Sequence, residues 1–174
     1  MKKKSPEFLV KALIISLILI VVDLIGGFAH LRFDSWFRWL SSIILAIALI
    51  IVCIQYGKLK EDGVTFGNAF GYGFKITAII AALMFVYTIL SIFLIFPEIQ
   101  DQVLEKTRAD MEAKGGYSED TIDQGVAMTK KLFIPLALVG SVVGTLIVGT
   151  IGSLLGAAFT KKSEPVPTIF KDNP

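Results

Sequence analysis

One carboxylate interrupts an otherwise uncharged apolar run: Asp23, within Ala12–Leu31. A charge at the centre of a membrane helix costs about 2.5–3.5 kcal/mol on insertion scales, and less towards the helix end. A carboxylate there could relay a proton or cation, or anchor a substrate. The plainer reading is an acid near the interface, protonated or hydrogen-bonded to Ser, Thr or Tyr on another helix. No base within the other uncharged runs offers itself as a partner. His30 is the only histidine and Cys53 the only cysteine. Together they cannot build an ordinary His/Cys metal site, and a lone cysteine forms no internal disulfide. Cys53 reads as a small apolar packing residue and His30 as a solvated boundary residue. The acids from Glu98 to Asp123 are spaced like a solvated helical face and lack the EF-hand pattern. Phosphate-loop, nucleophile and HExxH motifs are missing. These residues point to no enzyme, no cofactor, no metal site and no nucleic-acid binding.

A second set of residues concerns contact rather than reaction. Gly140/Gly144 and Gly152/Gly156 are GxxxG pairs in the last apolar run. At about 100° per residue, Ser141, Thr145, Gly149, Gly152 and Gly156 share one sector, and Gly140 and Gly144 the adjoining one. Between helices in lipid, close backbone approach and small polar contacts replace the hydrophobic drive. The stripe therefore predicts tight packing within the chain, with an oligomer or partner interface as the alternative. Upstream, Phe66, Phe70 and Phe74 recur every four residues, as do Gly67 and Gly71. In a helix the phenylalanines stack on one face, and the glycines form a small groove for a neighbour to press on. A re-entrant segment is the alternative for this stretch.

The elements that carry these residues are long apolar blocks. A bilayer core of about 30 Å takes roughly 20 helical residues. The sequence predicts four spans, at about 8–30, 36–57, 70–96 and 132–160. Gly26-Gly27 is expected to loosen the end of the first span, and Pro135 to kink or restart the fourth. A third loop, 97–131, is expected to be an external helical hairpin broken at Gly115-Gly116. In it Ser118 is a helix N-cap, and Ile122, Val126, Thr129 and Phe133 share one face. Residues 163–174, with three prolines, read as a disordered cytoplasmic tail.

Composition agrees: 54% of the residues are hydrophobic and 18% charged, against about 45–50% and 25% in soluble domains. The fold class expected is all-α, an integral membrane bundle of four transmembrane helices with an extramembrane helical hairpin between the third and fourth. Residues 1–162 form one membrane domain. Lys2–Lys4 precede the first span, and the lysine excess falls on the side of both termini. The positive-inside rule places that side in the cytoplasm. Lys130 and Lys131 argue mildly against this.

The order of elements resembles the small bacterial membrane proteins of domain-of-unknown-function family 4199. The residues that carry the resemblance are Val64–Phe74, Tyr117-Ser118-Glu119-Asp120-Thr121-Ile122, Met128, Lys130-Lys131 before Pro135, and the Gly-rich last helix ending in Lys161-Lys162. It covers about Glu7–Lys162. It implies a four-helix inner-membrane protein with a helical third loop, and carries over no catalytic residues. The leading expectation is a non-enzymatic scaffold or accessory subunit in the bacterial inner membrane, packing through its Gly-rich fourth helix. Its partners would be the lipid bilayer and a second copy or another membrane protein. The alternatives are a small transporter or channel using Asp23, and a membrane stress sensor that receives its signal through the hairpin.

Overall fold

A computed structural model describes residues 7–59 and 64–160. The basic arm at Lys2–Lys4, part of the second loop, Lys161-Lys162 and the expected tail lie outside the described residues. Those described form five α-helices and no sheet: α1 Glu7–Phe28, α2 Ser35–Lys58, α3 Phe66–Leu90, α4 Ile99–Lys114 and α5 Glu119–Phe159. Among them, four are long and apolar enough to cross a membrane, namely α1, α2, α5, and α3 with its extension to Ile95. Large apolar side chains such as Leu17, Ile47, Phe93 and Ile147 stand exposed on their outsides, which is the build of a multi-pass membrane protein.

Helix α3 begins at Phe66, where Thr65 caps it: its Oγ1 accepts from the Asn68 amide at 3.3 Å. It ends in a π-helical turn, Ser91–Ile95, closed by Phe96 N donating to Ser91 O at 2.8 Å. The phenylalanine ladder forms as spaced, with Phe66 stacked on Phe70 at 6.4 Å and Phe70 tilted against Phe74 at 5.9 Å.

Two expectations need correction. Gly26 and Gly27 do not loosen α1, which runs through both to Phe28. A side chain on Gly26 would strike the Phe37 ring, and one on Gly27 the Phe96 ring, with Cε1 at 2.8 Å. They are glycines because two aromatic rings press on the helix. Of the kink or restart expected at Pro135, the restart does not occur. The fourth span lies in one 41-residue helix, starting at its Ser118 cap. α4 is tied to the turn before the proline by Gln100 Nε2 donating to Lys130 O at 3.2 Å, while the carbonyl that Pro135 leaves without a helical donor is the next one, Lys131 O. The same pairing continues along α4, where Arg108 binds Asp123 and Met111 Sδ lies 2.8 Å from where a Gly125 Cβ would be. Ile122 is buried, and Val126, Thr129 and Phe133 are half-buried on the same face.

The bundle is packed unevenly. Towards the free end of α5, Leu49, Cys53, Ile76, Thr77, Ile80 and Ser153 are fully buried. Thr77 Oγ1 donates to Gly73 O at 3.0 Å and lies 3.5 Å from Ser153 Oγ, while Thr160 Oγ1 donates to Gly156 O and Cys53 O. Towards α4 the helices part and leave cavities.

Candidate functional site

The one acid of the first span is bound at the α4 end of the bundle. α1 stops there by a double turn: His30 N donates to Gly27 O at 3.2 Å and Leu31 N to Gly26 O at 2.9 Å. That closure needs a left-handed residue, normally glycine. Here His30 takes the position, with φ 56°. The reversal sends Arg32 back against the helix it has just left. Arg32 Nη2 donates to Asp23 Oδ2 at 2.5 Å and to Ser91 Oγ at 3.3 Å. Tyr87 Oη donates to the same Asp23 oxygen at 2.7 Å. The guanidinium lies over the Phe96 ring, 4.3 Å from its centroid, and Phe96 in turn packs on Phe28 at 5.1 Å.

Each partner is positioned by an identifiable element. Tyr87 and Ser91 are four apart, so the last turn of α3 and the first residue of the π-helical turn present both on one face. The π-helical turn then swings Phe96 beneath the guanidinium. Side chains are 33% exposed at Asp23 and 17% at Arg32, so the pair is shielded without being sealed. Charge-assisted bonds to one carboxylate from Arg and Tyr neutralise it and fix its rotamer. Chemically, the cluster is a clasp joining α1, the first loop and α3.

Sequence reasoning placed Asp23 and the tyrosine type of partner but missed Arg32, a base of the first loop. The usable signal is that Arg32 lies nine residues after Asp23, across a helix end. Asp23 also lines two cavities. One, of about 250 Å³, reaches Tyr87, Ser91 and Phe133. The other, of about 180 Å³, lies between all four spans beside Ser41, Ser42, Gly144 and Thr145. A third, of about 490 Å³, lies beyond Arg32 against α4. Neighbouring cavities share walls, at Arg32 and Ile99 and at Asp23 and Met84.

The small-residue positions divide into two groups. A Cβ on Gly149 would meet Thr77 Oγ1 at 2.7 Å, one on Gly152 the Ala46 carbonyl oxygen at 3.0 Å, and one on Gly156 the Ile50 Cα at 2.9 Å. Here α5 rests on the backbone of α2 and on α3. Gly67, Gly71, Gly140 and Gly144 would meet nothing within 4 Å. Ser141 and Thr145 bond back to their own helix, to Leu138 O at 2.9 Å and Ser141 O at 2.7 Å. On α3 the glycine pressed by neighbours is Gly73, whose Cβ would meet Cys53 Sγ at 2.6 Å and Ser153 Oγ at 2.7 Å. The period-four motif of Gly67 and Gly71 gave no hint of it.

Among the described residues no three His, Cys, Asp or Glu side chains gather to hold a metal. Comparison with curated proteins and with solved structures gives no match. The family model described as "Protein of unknown function (DUF4199)" matches residues 11–162. With nearly the whole chain matched, from the first span through the glycine-rich α5, the protein belongs to the DUF4199 family.

Proposed function

We propose that the chain is a non-enzymatic membrane scaffold or accessory subunit, joined to a second copy or another membrane protein through glycines its own fold leaves open. The observation that carries this reading is the open space over Gly67 and Gly71. Each glycine inside a helix costs about 1 kcal/mol relative to alanine. At Gly149, Gly152 and Gly156 a close neighbour within the chain offsets that cost. At Gly67 and Gly71 none does, and a helix from outside would. The exposed Phe66 and Phe74 beside them add aromatic surface. In this reading the protein sits in the bacterial inner membrane with both termini cytoplasmic, and α4 with the first turns of α5 forms a hairpin outside the bilayer.

The test follows from the same geometry. Gly67→Ile with Gly71→Ile adds bulk where the monomer has room, so the fold stays intact. Crosslinking in native membranes, followed by mild-detergent purification, should recover a defined oligomer or stoichiometric partner from the parent chain. The double variant should be recovered without it. Recovery of monomer alone from both would refute the reading.

A further inference from the structure

The cavity of about 490 Å³ lies at the level where two spans end. Gly27 and His30 come from the end of α1, Phe96 and Glu98 follow the π-helical turn, and Glu105 and Lys106 project from α4. Its wall carries both signs of charge. Arg32 and Lys106 supply cations and His30 a further donor, while Glu98 and Glu105 supply carboxylates, with an apolar floor of Phe96 and Ile99. Arg32 uses only Nη2 for Asp23 and Ser91, so among the described residues its Nη1 and Nε make no hydrogen bond. Among the described residues neither Glu98 nor Glu105 enters an ion pair, and the one ion pair of Lys106 is an exposed contact of 3.6 Å with Asp110. Residue 30 holds a left-handed backbone that favours glycine, yet places an imidazole on the cavity wall. A non-glycine residue kept in that conformation is strain of the kind found at binding sites.

We infer that this cavity binds the head group of a zwitterionic phospholipid bearing a primary ammonium, as in phosphatidylethanolamine. The inference is independent of the scaffold reading. Arg32, with Lys106 and His30, faces the phosphate, and guanidinium donors suit its oxygens. Glu98 and Glu105 take the ammonium N–H groups. A quaternary choline group has no N–H to give them and would seek open aromatic faces. Both rings already carry a cation, Arg32 over Phe96 at 4.3 Å and Lys106 over Phe33 at 6.0 Å. An anionic head group without an amine leaves the two carboxylates facing a like charge. The exposed Phe28, packed on the cavity's Phe96 at 5.1 Å, belongs at head-group depth, where aromatic belts lie. The acyl chains then run down the lipid-facing side of the spans.

Delipidated full-length protein, titrated in mild detergent with phosphatidylethanolamine, phosphatidylcholine or phosphatidylglycerol of matched chains, tests this by native mass spectrometry. The ethanolamine lipid should be retained at several-fold lower concentration than the other two. Glu98→Gln with Glu105→Gln should abolish that preference, and Lys106→Gln should weaken retention of all three. These side chains are exposed, so an unchanged melting temperature is expected and checks the fold. Soluble phosphoethanolamine should compete only weakly. Its tight binding without retention of the lipid would assign the site to a soluble ligand and overturn the proposal. Equal retention of the three lipids, or a preference untouched by the double glutamine variant, would overturn it too.

Discussion

Arg32 reaches Asp23 only because residue 30 reverses the chain in a left-handed turn, so a charge pair is obtained at the expense of local backbone strain. Breaking a buried pair from one side leaves an uncompensated charge, at about 3–5 kcal/mol when burial is complete. With Asp23 one-third exposed, the expectation is smaller, roughly 1–3 kcal/mol for Asp23→Asn or Arg32→Gln after allowing for solvent screening. Removing the Tyr87 hydroxyl as Tyr87→Phe should cost about 1 kcal/mol. In a double-mutant cycle on unfolding in detergent, Asp23→Asn and Arg32→Gln together should fall short of their sum by about 1 kcal/mol or more. Strict additivity would show that the pair contributes nothing. Asp23 was legible as an anomaly because an acid in an apolar run must be explained. Arg32 was not, because a loop base has no periodicity, and its return depends on one backbone dihedral at His30.

Helix faces tell apart glycines that look alike in sequence. Gly152 and Gly156 repeat at the same spacing as Gly140 and Gly144, yet only the first pair touches a neighbour. Gly156→Leu should therefore force α5 off Ile50 and Cys53 and lower the unfolding midpoint sharply, by several kcal/mol of overpacking and lost seam contacts. Gly140→Leu should change it by less than about 1 kcal/mol. A comparable loss from both would mean that the seam extends the full length of α5. Span existence was readable from block hydropathy, and the Ser118 cap from its following acids. The continuity of α5 through Pro135 was not, because a local rule about proline carries no information about α4 lying alongside. Gly26-Gly27 misled for the same reason: two glycines signal looseness until the Phe37 and Phe96 rings are brought against them.

Taken whole, the molecule is closed at one end and open at the other. Among the described residues, fully buried Leu49, Ile76, Ile80, Cys53, Thr77 and Ser153 fill the centre near the free end of α5, and none of them lines the cavities beside Asp23. A transporter built on an exchangeable carboxylate would need that plug to part and Arg32 to release its partner. Reconstituted into liposomes, the protein should therefore pass ions at background rates, and Asp23→Asn should pass them no faster and no slower. A flux above background in the parent chain, abolished by Asp23→Asn, would replace the scaffold reading with the transport one.

The unbroken α5 carries a mechanical consequence. At 1.5 Å per residue, its 41 residues form a rod about 60 Å long, roughly twice the hydrocarbon thickness of a bilayer. One end is gripped by α2 and α3 through Gly149, Gly152 and Gly156, and the other is strapped to α4 through Arg108–Asp123 and the Gly125–Met111 contact. Between the grips, Gly144 and Thr145 form one wall of the inner cavity. One helix therefore links the α4 strap, the wall facing Asp23 and the glycine seam, so a displacement of α4 would reach that wall through Pro135 and the turns that follow it.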